Sequence, residues 1–160
     1  MIDRLALLAV AGAVAMGAAA IAQGPGDKSQ DMAWMSAQQA ALSGLKASDG
    51  WQWLDGGLAW RRIAGDGSGR HPTAEDVVTV HYAGKLVDGT EFDSSYGGDP
   101  VTFPLGKLIP AWKLAIPQMG VGDTIEIAAP ASLAYGPKGK GPIPGGATLI
   151  FKVQLLGIGA

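Results

Sequence analysis

A chain of 160 residues can build one domain with a real core and leaves little material for a second. Its formal charge of -2, with 12 Lys and Arg scattered among 14 Asp and Glu, forms no basic stripe of the kind that tracks nucleic acid. With no cysteine, disulfides, thiol nucleophiles and thiolate metal sites are excluded together, and the two histidines lack the spacing of a zinc motif.

Met1 to Arg4 is a short charged start, Leu5 to Ala20 an apolar run, and Ala20-Ile21-Ala22 a small-x-small site ahead of Gln23. That order predicts a signal peptide over residues 1–22, cleaved after Ala22, and a periplasmic address. Leu5 to Ala22 also approaches the ~20 apolar residues that cross a bilayer, so an uncleaved inner-membrane anchor is the alternative. The alanine- and glycine-rich composition favours cleavage, and in either case membrane contact is confined to this segment.

Gln23 to Gln30, broken by Gly and Pro, is a linker. Asp31 to Lys46 predicts a helix, capped by Ser29 or Asp31, with Met32, Met35, Leu42 and Leu45 at near-helical spacing. It is either a packing helix laid on the domain or an arm for self-association. Linker and helix make up residues 23–50, and the domain proper is residues 51–160.

From Trp51 the period changes to that of strands. Trp51 to Ile63 reads as a strand pair around an Asp55-Gly56-Gly57 turn, followed by a loop from Gly65 to Asp76. Strands are then expected at Val77 to Val87, Thr90 to Asp93, Val101 to Leu105, Thr124 to Ala129 and Ala147 to Leu156, with a short helix near Ala111 to Met119. Short strands between turns with one short helix define an antiparallel α+β domain. No internal repeat interrupts it.

Catalytic machinery of the familiar kinds is thin. Ser94 and Ser95 stand in no Gly-x-Ser-x-Gly elbow and no histidine has an evident route to them. Gly136 to Gly146 has the glycines and lysines of a phosphate cradle, yet a strand follows where a helix N-terminus is needed. The hairpin VHYAGKLVDGTEFDSS, Val80 to Ser95, is more informative. A two-residue Asp88-Gly89 turn with strict pairing puts Asp93 on the face of Tyr82 and Phe92 on the other, so a shared pocket requires a bulge.

This hairpin, then FPLGKLIPAW (Phe103 to Trp112), MGVGDTIEIAAPASLAYG (Met119 to Gly136) and PIPGGATLIFKVQLL (Pro142 to Leu156), resembles the FKBP-type peptidyl-prolyl cis-trans isomerases in that family's order. The segment before it resembles the lead-in of exported bacterial members. The resemblance implies an antiparallel sheet of five or six strands wrapped around one short helix, preceded by the N-terminal helix. It implies an isomerase acting on X–Pro bonds of unfolded or partly folded exported polypeptides, inhibited by macrolides and needing no cofactor or metal. It implies catalytic roles for Tyr82, Asp93 and Tyr135, and a substrate site lined by Phe92, Val101, Leu108, Ile109, Trp112, Ile143 and Phe151. Trp112 would be the floor beneath the proline ring, and Tyr135 Oη with the Ile109 amide would hold ligand carbonyls. Since Phe92 and Asp93 share one cavity in the family, the pairing there should be irregular. Val101 replaces a usual aromatic and leaves that wall smaller. A non-catalytic module that only holds proline-containing segments is the alternative.

Overall fold

The computed structural model of the chain describes Lys28 and residues 31–159; the predicted signal segment and most of the linker lie outside the described residues. Helix α1 covers Met32–Ser43. Asp31 is its cap, its carboxylate accepting from the Trp34 amide at 3.0 Å, and Gly44 ends it short of the expected Lys46. The face it lays on the domain is Trp34, Gln38 and Leu42, at intervals of four. The expected stripe therefore holds only in part: Leu42 and Leu45 pack beside Trp51, Ala59, Ala128 and Ile150, whereas Met32 is 79% exposed.

Seven strands follow: β1 (Gln52–Trp53), β2 (Ala59–Ala64), β3 (Val77–Leu86), β4 (Glu91–Ser94), β5 (Val101–Pro104), β6 (Thr124–Ala129) and β7 (Leu149–Gly159). They lie antiparallel in the order β1-β2-β6-β7-β3-β4, and β5 pairs with β3 as well. The seven occupy six positions, because β4 pairs with the Ala83 to Lys85 end of β3 and β5 with the Val77 to Val80 end. Strict alternation turns Val78, Val80, Tyr82 and Leu86 of β3, Ile125, Ile127 and Ala129 of β6, and Leu149, Phe151, Val153 and Leu155 of β7 to one side. Helix α2, Pro110–Ala115, lies against that side and buries Ala111, Trp112 and Ala115. Its first residue is Pro110, whose ring presets a helical φ. A 3-10 turn at Ile116–Gln118 ends it, since Pro117 cannot donate to the preceding turn.

The loop before β3 is stapled beneath the end of α2 by two titratable groups. Asp123, buried, accepts from the Gly120 amide at 2.9 Å, the Gly67 amide at 3.2 Å and Arg62 Nε at 3.1 Å. Burial pushes its carboxyl up, but the amides and the guanidinium outweigh that and hold it below the ordinary value. His71 sits with Nε2 2.8 Å from the Gly67 carbonyl and Nδ1 2.9 Å from that of Pro117. Only the imidazolium can donate to both, and these two carbonyls, Gly67 first, raise its pKa; the Asp123 charge adds to this and that of Arg62 opposes it.

A group whose folded pKa is raised contributes stability in full below its unfolded value, and loses it as pH rises through the folded one. The melting temperature lost on His71→Ala should therefore be larger at pH 5.5 than at pH 8.5. Thermal unfolding of both proteins at the two values checks this.

Candidate active site

The site begins with a miscount in the β3–β4 ladder. Leu86 N–H donates to Thr90 O and Gly89 N–H to Leu86 O, both at 2.9 Å, so the connection is a three-residue loop, Val87-Asp88-Gly89, rather than the expected two. Gly89 takes φ of +91°, and the Asp88 carboxylate accepts from the Thr90 amide at 2.9 Å. Pairing then runs Lys85 with Glu91 but Gly84 with Asp93, leaving Phe92 as the surplus residue of a β-bulge. The bulge turns both Phe92 and Asp93 towards the pocket. Gly84 accommodates it: a Cβ there would lie 2.5 Å from Phe92 Cζ and 3.0 Å from Phe151 Cε1. Phe92 meets the Phe151 ring at 86° with centroids 5.8 Å apart.

At the centre stands Trp112, held by α2. Tyr82, Phe103 and Phe151 surround its ring at centroid distances of 5.4, 6.1 and 5.5 Å and angles of 78°, 84° and 86°. Edge-to-face packing of this kind sets partially positive ring edges against negative faces. Leu108, Ile109 and Ile143 belong to the same core, with Phe92, Val101 and Tyr135 half-buried against it. Ile109, extended ahead of Pro110, caps α2, so its amide precedes the helix's own ladder.

Two tyrosines provide the polar rim. Tyr82 Oη donates to Asp93 Oδ2 at 2.6 Å, a buried bond strengthened by the carboxylate charge. Tyr135 Oη is buried with no hydrogen-bond partner. Burial first, and the Asp93 charge second, push its pKa far above the ordinary value. Tyr135 is thus a neutral donor throughout the physiological range. A buried donor without an acceptor costs about 1–3 kcal/mol, which an incoming carbonyl would relieve.

The expected residues thus converge on one core. Two expectations change. Trp112 has 0% exposed surface, so the expected floor is covered in this structure and a ligand could touch it only if a neighbouring group moved. A histidine does reach a serine: His81 Nδ1 lies 2.9 Å from Ser95 Oγ across the hairpin. Ser95 is only 2% exposed and its oxygen already accepts from the Tyr82 amide at 2.7 Å, so it clips the strand end and has no access to a substrate. Residues not singled out from the sequence were Gly84 and Phe103. A glycine inside a strand pattern was the available signal for the first. Among the described residues no three His, Asp or Glu side chains converge as a metal site needs.

A sheet wrapped around one short helix, with an aromatic cluster between them, has the form of the prolyl isomerase fold, and comparison with known proteins agrees. Residues 68–156 match the sequence model of the FKBP-type peptidyl-prolyl cis-trans isomerases. The chain is 50% identical over 93 residues to the FKBP-type peptidyl-prolyl cis-trans isomerase FkpA of Aeromonas hydrophila, covering 58% of this chain and 35% of that protein. It is 44% identical over 121 residues to the outer membrane protein MIP of Legionella longbeachae, covering 74% and 52%. Among solved structures, a peptidyl-prolyl cis-trans isomerase of Pseudomonas syringae pv. tomato superposes with a TM-score of 0.73 at 31% identity, covering 80% of this chain and 95% of that one. FkpA from Escherichia coli superposes at 0.69 and 34%, covering 82% and 65%. The chain belongs to the FKBP-type peptidyl-prolyl cis-trans isomerase family. It spans between 35% and 52% of the length of the two curated relatives.

Gly84→Ala should force the Phe92 ring off Phe151, at a cost of about 1–3 kcal/mol as for other overpacked sites. Denaturant unfolding and ring-to-ring NMR contacts between Phe92 and Phe151 check it. Unchanged stability with the contacts retained would mean the ring does not depend on that glycine.

Proposed function

We propose that this protein is a peptidyl-prolyl cis-trans isomerase that accelerates X–Pro isomerisation in exported polypeptides. One observation carries the reading: a buried tryptophan walled by aromatic rings, with an unpaired tyrosine hydroxyl at its rim. The X–Pro bond resists rotation because twisting it forfeits amide resonance, a barrier of roughly 18–20 kcal/mol. No bond need be broken. The planar amide is more charge-separated than the twisted one, so an apolar pocket favours the twisted state relative to water.

In this reading the proline ring enters over Trp112, against Phe92, Val101, Leu108, Ile143 and Phe151. Tyr135 Oη and the Ile109 amide donate to carbonyls of the bound chain. Asp93, held by Tyr82, orients the peptide and carries no proton in the reaction. Macrolide inhibitors would occupy the same pocket. Residues 1–22 would direct export and be removed after Ala22, making the site of action the periplasm; the outer-membrane name of one relative is consistent with an envelope role.

Isomerisation of a short X–Pro peptide by the purified chain tests the proposal. Tyr135→Phe should keep the fold and lower kcat/KM by about 5- to 150-fold, the worth of a hydrogen bond of roughly 1–3 kcal/mol. Trp112→Ala should lose both activity and macrolide affinity, after a check on folding, since truncating a core aromatic costs about 3–5 kcal/mol. A chain that binds the peptide and leaves its isomerisation at the uncatalysed rate would be a binding module instead.

A further inference from the structure

The loop from Gly136 to Ala147 connects Tyr135 to β7 and carries Ile143, so it forms one side of the site. Its base is closed by Gly146 N–H donating to Gly136 O at 2.9 Å, and its tip by reciprocal bonds between Lys140 and Ile143, both at 2.9 Å. None of these bonds ties the loop to the sheet. Helix α1, more than a hundred residues earlier, does. Trp34 Nε1 donates to Gly145 O at 3.3 Å. Gln38 Oε1 accepts from the Thr148 amide at 2.7 Å, and the Gln38 carbonyl accepts from Thr148 Oγ1 at 3.3 Å. Trp34 also packs on the main core, with Lys28 Nζ 4.7 Å from its ring centroid, and Gln38 is buried to 3%.

We propose that Trp34 and Gln38 are positioning residues for the isomerase site: through Gly145 and Thr148 they brace the return limb of this loop and so fix where Tyr135 and Ile143 stand. The inference rests on the isomerase reading. Its physical basis is the covered floor. Since Trp112 has no exposed surface, some neighbour must move for a proline to enter, and this loop follows Tyr135, carries the core residue Ile143 and is bonded chiefly to itself, through Gly146 to Gly136, Gly139 to Tyr135 and Lys140 with Ile143. Pinning the limb between Gly145 and Thr148 confines that motion to the tip, so the loop returns to one arrangement. A polar glutamine buried on an otherwise apolar helix face costs desolvation; its Oε1 recovers part of that from the Thr148 amide only while helix and loop are docked, and its Nε2 has no partner. Without the brace the loop would sample many arrangements, and apparent affinity falls with the fraction that is competent to bind. The loss would appear in KM. Once the peptide is bound, Tyr135 and Ile143 are held by it and turnover is nearly unaffected.

The test uses the full chain with Gln38→Met, which keeps the side-chain length and removes the acceptor, combined with Trp34→Phe, which keeps a ring and removes the donor. Met32→Ala, on the exposed face of α1, is the control. Amide exchange at Lys140 and Ile143 should accelerate about tenfold in the double variant, because the loop opens without the rest of the domain. KM should rise about 3- to 10-fold with kcat within about twofold of wild type, as expected for a smaller competent fraction. The control should match wild type in all three. Loop amides that exchange at the wild-type rate in the folded double variant, or an unchanged KM, would overturn the proposal. Should the double variant fail to fold, Gln38→Met alone is read by the same criteria. A wild-type chain that does not isomerise proline would overturn the isomerase reading, and the exchange rates would still decide whether the brace exists.

Discussion

Phe92 faces no partner on β3, and the site depends on that surplus residue. A regular ladder separates neighbours to opposite faces, so without the bulge either Phe92 or Asp93 would point to solvent. With it, one short strand sets both an aromatic ring and a carboxylate against the same core, Phe92 on Phe151 and Asp93 on Tyr82. The bulge is fixed from three directions: by the Gly89 turn, by the space left over Gly84, and by Ser95 clipping the Tyr82 amide at the far end. Tyr82 then closes the arrangement by donating to Asp93. Trp112 could pack on Tyr82 and Phe151 without this device, but the rim that gives the pocket direction could not form.

The polar groups of the site divide unequally, and the division has a chemical meaning. Asp93 accepts from Tyr82 through Oδ2, which fixes the orientation of its carboxylate. Tyr135 is unsatisfied, and its burial keeps it a donor. An apolar interior strengthens such a bond once an acceptor arrives and penalises its absence until then. Binding a carbonyl at Tyr135 is therefore favoured most when water is excluded, the same condition that lowers the barrier to twisting the amide. In the proposed mechanism, selectivity for a desolvated substrate and rate enhancement would share one cause.

Much of this architecture is legible in the sequence. Period-two alternation marks β3, β6 and β7, and Ile109-Pro110 marks the start of α2. What escapes it depends on contacts across the chain. Asp88-Gly89 suits two turn lengths equally, and only the Leu86–Thr90 pairing decides between them. Alternation cannot reveal a residue that belongs to neither face, so pattern alone sends Phe92 outward; the family resemblance, not the residues, put it in the pocket. The His81–Ser95 contact spans the hairpin and has no local signature. In α1 the methionines suggested an apolar stripe, whereas the docked face is set by Trp34 and by Gln38, whose burial is explained only by Thr148 far along the chain.

The central claim is that rotation is accelerated by exclusion of water and two donors, with no proton transferred. A general acid or base titrating in the neutral range would impose a bell or sigmoid on kcat/KM. The direct test is kcat/KM of the wild-type chain from pH 5.5 to 8, at a temperature well below unfolding, in parallel with folded Ser95→Ala and His81→Asn. A nearly flat profile that both variants retain is the result this account predicts. A steep pH dependence, together with near-total loss in either variant, would contradict it.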